Sequence, residues 1–179
     1  MRVRKRLVTC VGALLAFIGL AVPAPVGAAT SLPGFTCGTQ SGGTDISGNP
    51  SAVTAVRVGS HPNEQPAYDR FVVEFANGPV PKWTAIPKSS ANFTLSPSNK
   101  PVTLSGTAGI RLAFFTGTFP AYGGQTDLLT RLPQLAEARE LEDHEGYVQW
   151  GLGLQHQSCK RIFQLAAPTR LVIDVPYNA

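Results

Sequence analysis

The sequence predicts an all-β domain of roughly seven strands that follows an export signal. Short apolar runs with a period of two recur along most of the chain, as in half-buried strands. Gly, Pro and Asn residues interrupt these runs at intervals typical of all-β proteins. A basic and then apolar N-terminus indicates that the domain works outside the cytoplasm.

The N-terminus has the pattern of a cleavable signal peptide. Residues 1–6 have the sequence MRVRKR, residues 7–22 are almost wholly apolar, and small residues follow, so we expect cleavage after Ala28 or Ala29. An uncleaved anchor is the alternative, but the apolar stretch is shorter than the roughly 18 residues that span a bilayer. Cys10 precedes most of the apolar stretch, which argues against a lipid anchor.

Charge excludes one class of partner. The signal peptide contains four of the 15 Lys and Arg residues and none of the 11 Asp and Glu residues, so the mature chain has 11 residues of each sign. Binding to nucleic acid depends on an excess of positive charge, which the mature chain lacks.

Two cysteines remain after cleavage, Cys37 and Cys159. An even pair in an oxidising compartment indicates a disulfide, which would hold the N-terminal segment to the domain. Two buried free thiols are the alternative. The chain has no CxxC motif, so redox chemistry is not indicated.

Composition divides the chain into three parts. Residues 30–51 are rich in Gly, Ser, Thr, Asn and Pro, and such a segment buries too little apolar surface to order itself. The predicted organisation is therefore a signal peptide at 1–29, a flexible linker tethered by Cys37 at 30–51, and the β domain at 52–177.

Seven runs account for the predicted strands. The run at 70–75 places Phe71, Val73 and Phe75 on one face. In the run at 147–154, Trp150 lies on the apolar side, while glycines leave the other side bare. The runs are at 52–58, 70–75, 101–105, 110–115, 147–154, 161–166 and 170–175.

Two segments are harder to assign from local pattern. Residues 133–143 contain strong helix formers between a Pro and a Gly, so propensity favours a short helix. Residues 79–100 show no convincing period, and we expect a long loop or an irregular edge there.

No catalytic or metal motif exceeds chance, and no cofactor is indicated. His144, Glu145 and His156 could form a two-His-one-carboxylate site, although solvated loop histidines are the simpler interpretation. Four acids at 140, 142, 143 and 145 lack the spaced loop that wraps calcium, and a solvated acidic face is the simpler interpretation.

Aromatic side chains outside the predicted strands are candidates for ligand contact, because flat rings on loops stack on sugars or fill partner pockets. Packing against the domain's own core is the alternative for each ring. Arg70 borders the candidate surface, or else it pairs with an acid while Asp69 caps a turn. The candidate ligand-binding residues are Tyr68, Arg70, Trp83, Phe119 and Tyr122.

Four pieces of sequence, AVTAVRVGSH, AYDRFVVEF, YVQWGLGL and FQLAAPTRLVIDV, together resemble the AMIN-like domain of bacterial exported proteins. The resemblance covers about residues 52–177. It implies a small antiparallel β-sandwich of about seven or eight strands, and it favours a strand rather than a helix at 134–141.

Related AMIN domains accompany cell-wall amidases and secretion pores, where they localise the protein to peptidoglycan. The resemblance thus implies a non-catalytic binding or targeting module of the bacterial envelope, secreted or wall-associated, that stands alone here. Its expected partner is peptidoglycan or another wall polymer. A domain that binds another exported protein and an unrecognised hydrolase are the alternatives.

Overall fold

The computed structural model describes most of residues 31–177. In the described ranges the chain forms twelve strands and no helix, and therefore no helix that could cross a membrane. The predicted signal peptide at 1–29 and the candidate Phe119 lie outside these ranges. The described residues are 31–46, 51–76, 78–117 and 121–177.

Six strands form an antiparallel sheet in the order β1-β4-β7-β10-β9-β8. Its central strands alternate core and outward residues, as the pattern at 147–154 predicts. The members are β1 (Gln40–Gly42), β4 (Trp83–Lys88), β7 (Ala108–Phe115), β8 (Asp127–Leu129), β9 (Leu135–His144) and β10 (Tyr147–Leu154).

Four strands form the second antiparallel sheet in the order β11-β12-β3-β2, and two short strands form a separate hairpin. The four are β2 (Val53–His61), β3 (Tyr68–Phe75), β11 (Arg161–Leu165) and β12 (Arg170–Pro176). The hairpin consists of β5 (Asn92–Thr94) and β6 (Pro101–Thr103).

The two large sheets pack face to face around one apolar core. Phe71 on β3 contacts Trp150 on β10 with ring centroids 5.6 Å apart, and Phe75 meets Phe114 edge to face at 5.5 Å. Both contacts join side chains that the alternating pattern places on inward faces. The prediction of an antiparallel β-sandwich is confirmed, with more short strands than the seven or eight expected.

Strand β9 shows tertiary context overriding helix propensity. It lies between β8 and β10, with Leu135 and Ala138 in the core between the sheets. A register shift opposite Gln149 and Trp150 turns Leu141 towards the outer face of the sheet, where it packs in a second cluster with the hairpin. The strand inferred at 134–141 is confirmed, and the short helix favoured by propensity is wrong.

Two expectations about irregular segments are wrong. Residues 79–100 contain β4 and β5, because β4 pairs along its length with the long strand β7. Part of the predicted flexible linker at 30–51 is ordered as well. Within it, β1 pairs with β4, and Ile46 is buried. Such a polar segment gains most of its order from backbone pairing, to which the burial of Ile46 adds.

The glycine-bearing side of β10 is covered rather than bare. A Cβ on Gly151 would lie 3.0 Å from Leu104, and one on Gly109 of neighbouring β7 would lie 2.8 Å from the Phe93 ring. Phe93 and Leu104 belong to the β5–β6 hairpin and its continuation. The glycines therefore provide the space in which the hairpin docks on the outer face of the six-stranded sheet.

The disulfide between Cys37 and Cys159 is present, with a sequence separation of 122 residues. It is adjacent to a pair of backbone hydrogen bonds between Thr36 and Lys160, of 2.8 and 2.9 Å. The buried Lys160 ammonium donates to the carbonyl of Gly38 at 2.5 Å, and burial lowers its pKa. From here the N-terminal segment crosses from β11 of one sheet to β4 of the other.

Candidate binding face and its opposite

Two exposed aromatic rings lie side by side on the outer face of the six-stranded sheet. Phe115 on β7 is directly opposite Tyr147 on β10, and the side chains are 44% and 41% exposed. Each follows or precedes an inward core residue, so strand alternation turns both rings outward. Directly opposed aromatic side chains on one face form a continuous apolar platform.

Short side chains next to the platform leave a groove of about 420 Å³. Ser41, Thr84 and Ala113 lie opposite one another on β1, β4 and β7 and form the floor. The N-terminal segment thus supplies one side of the groove. Gly43, at a φ of +84°, continues that side where a Cβ would lie 2.0 Å from the Pro81 carbonyl oxygen.

A polar hollow of about 470 Å³ lies farther along the same face, beside the hairpin. Glu142 accepts hydrogen bonds there from the Ser96 hydroxyl at 2.5 Å and from the Gln149 amide. Arg111 and Lys88 also line it. Gln149 is opposite Ala113 of the groove floor, so groove and hollow are neighbours on one face.

The outer face of the four-stranded sheet has a different chemistry. Arg70 on β3 and Arg161 on β11 flank the fully buried Asp174 on β12, and each donates to its carboxylate at 2.6 and 2.9 Å. These hydrogen bonds raise the pKa of Arg70 above its usual value. Tyr68 lies beneath both guanidinium groups, 5.1 and 4.9 Å from its ring centroid.

A sequence model described as the AMIN-like domain matches residues 51–177. The chain belongs to the AMIN-like domain family. This membership indicates a non-catalytic module associated with the cell envelope, and the disulfide fits a location outside the cytoplasm. Comparisons with curated proteins and with solved structures find no significant match.

The AMIN-like fold distributes the predicted ligand-binding residues over several places. Trp83 lies in β4 rather than on a loop and is 8% exposed, beneath Gly42. Tyr122 packs on the core edge to face with Trp150, and its hydroxyl accepts the Val56 N–H at 3.2 Å. Trp83 therefore does not project from a loop, although it is among the residues that line the groove, and the Tyr122 ring packs on the core. Contact of either ring with a ligand stays a prediction.

Tyr68 and Arg70 are together, as expected, but within the network around Asp174. Tyr68 is buried and stacks on His61 with centroids 4.6 Å apart. Asp69 points the other way and accepts the backbone N–H groups of Gln134 and Leu135 at 2.7 and 2.9 Å. The structural interpretation, with Arg70 paired to an acid and Asp69 holding a turn, is the one that the geometry supports.

The histidines and acids do not converge. Within the described ranges, no group of three or more His, Cys, Asp and Glu side chains could hold a metal ion. His144 and Glu145 are 4.0 Å apart and exposed, while His156 contacts the Tyr177 carbonyl at 2.8 Å.

Glu140 differs from the other acids. Its Oε2 is buried without a hydrogen-bond partner among the described residues. Burial, and then the nearby Asp143 charge, raise the pKa of Glu140 to about 7. The carboxyl therefore gives up its proton near neutral pH rather than in acid.

Phe115 and Tyr147 are not among the residues predicted from the sequence, because those candidates are aromatic residues outside the predicted strands. The signal was present in the pattern. In 110–115 and 147–154, each ring occupies the polar face of a strand whose alternate residues are core. An aromatic residue out of phase with the core is the sign of an exposed platform.

Proposed function

We propose that this AMIN-like domain is an exported, non-catalytic module that binds a wall polymer, peptidoglycan in the first place, through the outer face of its six-stranded sheet. The exposed pair Phe115 and Tyr147 carries the proposal. A flat aromatic ring packs against the C–H face of a sugar ring, and nearby polar groups fix its orientation. The groove and the polar hollow supply both elements on one face.

The test is sedimentation of the purified, oxidised mature domain with insoluble peptidoglycan over a range of salt concentrations. We expect saturable binding that persists at high salt, because ring stacking is less sensitive to salt than ion pairing. Phe115→Ala and Tyr147→Ala should each weaken binding about tenfold, the loss typical of a ring at the centre of an interface.

Matched controls come from exposed leucines elsewhere. Leu129 on β8 and Leu165 on β11 are 57% and 36% exposed and lie away from the groove. Leu129→Ala and Leu165→Ala remove comparable apolar area and should sediment as the wild type does. Equal losses in all four variants would contradict the assignment of the aromatic pair.

Failure of the whole proposal is also recognisable. If the domain stays in the supernatant at every salt concentration, wall binding is wrong. Recognition of another exported protein would then be the function to test. The wild-type domain is the bait in a co-purification experiment, and the Phe115→Ala variant is the control.

A further inference from the structure

Two cations on the proposed binding face lack an acidic partner. Arg111 on β7 is exposed and, among the residues that the structure describes, forms no ion pair. Most other arginines of the sheets are paired, for example Arg57 with Glu74, Arg139 with Asp127, and Arg70 with Asp174. Arg170 on β12 differs, since it donates to the Pro168 carbonyl and forms no ion pair with a described residue. An unpaired guanidinium keeps its whole fork of donors available to a ligand.

Lys88 places a second positive charge near Arg111. Lys88 is opposite Gly109 on β7, two residues from Arg111, so the two side chains are diagonal neighbours on the outer face. Diagonal neighbours in a sheet are roughly 7 to 8 Å apart. The Lys88 ammonium lies 5.4 Å from the centre of the Phe93 ring, which positions it without neutralising it.

Glu142 offsets only part of this positive charge. Its two oxygens accept hydrogen bonds from Ser96 and Gln149, both neutral donors. The hollow therefore contains two cations and one carboxylate that is already bonded, with a net positive charge. Along β7, Arg111 is four residues from Phe115, or about 14 Å at roughly 3.4 Å per residue. That distance exceeds the length of one sugar ring.

We infer that the ligand of this face is an anionic glycan, with sugar rings stacked on Phe115 and Tyr147 and a carboxylate substituent bound by Arg111 and Lys88. The inference rests on the proposed function and narrows its substrate class. Carboxylates match the planar guanidinium fork in a bidentate contact. Phosphate groups also accept hydrogen bonds from a guanidinium, so the test must distinguish a carboxylate ligand from a phosphate ligand.

The test compares three insoluble supports: peptidoglycan stripped of phosphate-bearing polymers, the same material with its carboxylates converted to methylamides, and chitin, which has related sugar rings without carboxylates. We expect binding to the stripped peptidoglycan to be about tenfold tighter than to the other two. The double variant Lys88→Gln, Arg111→Gln should lose this preference while it still binds all three supports weakly.

A charge-matched control separates the site from net charge. The double variant Arg57→Gln, Arg170→Gln removes two positive charges from strands of the opposite sheet and should keep the full preference. Thermal melts of both double variants confirm that each is folded. Loss of preference in the control as well would overturn the inference, since net charge would then explain it.

The outcomes also distinguish this inference from the proposed function. Equal binding to all three supports overturns carboxylate recognition but leaves wall binding by the aromatic pair intact. Untreated walls, which retain phosphate-bearing polymers, are measured as a fourth support, and binding to them alone overturns the carboxylate in favour of phosphate. Absence of binding to the untreated walls and to the other three supports overturns the inference together with the proposed function.

Discussion

Both outer faces of this sandwich contain arginines and aromatic rings, but the two faces differ in whether these side chains are paired within the domain. On the four-stranded sheet, arginines and aromatic rings satisfy one another: Asp174 is shared by Arg70 and Arg161, and Tyr68 is enclosed by them. On the six-stranded sheet, Phe115 is exposed and Arg111 has no acidic partner among the described residues.

The comparison shows that residue type alone does not indicate a binding site. A charged or aromatic group contributes to stability when its partners are internal, and it is available to a ligand when they are missing. The four-stranded face therefore has the properties of a structural network. The six-stranded face has those of a contact surface.

Removal of the shared acid should have the largest effect. Asp174→Ala leaves Arg70 and Arg161 adjacent without a carboxylate between them, and we expect the free energy of unfolding to fall by about 3 to 5 kcal/mol. Urea denaturation measures the change. Asp45→Ala, which breaks an exposed ion pair with Lys82, is the control and should cost less than about 1 kcal/mol. Similar losses in both variants would contradict an internal network.

Loss of the disulfide should be next in size and should reach the binding face. Replacement of Cys37 and Cys159 by Ser should lower the free energy of unfolding by about 2 to 4 kcal/mol. Because the segment they tether continues into Ser41 of the groove floor, we also expect weaker sedimentation with peptidoglycan. A reducing agent should weaken the sedimentation of the wild type with peptidoglycan and should not change that of the cysteine variant. If the reducing agent also weakens sedimentation of the variant, loss of the disulfide is not the cause.

Glu140 should make stability depend on pH. Its folded-state pKa is about 7, above its usual 4.5, so its contribution is fully present below about pH 4.5 and is lost as pH rises through 7. A fully buried group with this shift would account for about 3 kcal/mol. Because Glu140 is only partly buried, we expect the free energy of unfolding to fall by about 1 to 2 kcal/mol as the pH rises through this range.

The measurement is the free energy of unfolding at pH 5 and pH 8 for the wild type, Glu140→Gln and Glu145→Gln. Glu140→Gln should remove most of the decline between the two pH values. Glu145 is exposed, so Glu145→Gln should keep the decline and serves as the control. Identical pH profiles for all three proteins would assign the decline to other groups.

The smallest stability effect is expected at the proposed binding pair. Phe115→Ala and Tyr147→Ala should each change the free energy of unfolding by less than about 0.5 kcal/mol, since both rings are exposed. Tyr68 lies on the opposite face, where Tyr68→Ala should lower the free energy of unfolding by about 3 kcal/mol and leave wall binding unchanged. A Tyr68 variant that remains stable but loses sedimentation would reverse the roles of the two faces.

Strand pattern predicted the centre of the fold well. In β3 and β10 the alternate residues Phe71 and Trp150 lie in the core as expected, because a period of two with one apolar face has few other solutions. Local propensity failed at β9, where flanking strands impose an extended backbone on helix-forming residues. It failed again at β4, whose Pro87 and polar residues obscured the period.

The candidate site was less accessible to sequence reasoning. Trp83 was selected as an aromatic residue outside the predicted strands, and that criterion failed once the segment proved to be β4. Tyr68 and Arg70 were correctly linked, but the acid that pairs with Arg70 lies 104 residues away on β12. No local pattern identifies such a partner.

The sequence by itself determined the fold class and the inward faces of the central strands, because these depend on local periodicity. Four ordered strand sequences identified the family by resemblance, and the two cysteines beyond the predicted signal peptide are the ones that pair. The tertiary structure decided which outer face is open. That choice depends on distant segments: the β5–β6 hairpin that docks on glycines, the N-terminal segment that pairs with β4, and Asp174 that neutralises two arginines. Exposure and charge pairing are properties of neighbours in space, and strand order brings those neighbours together.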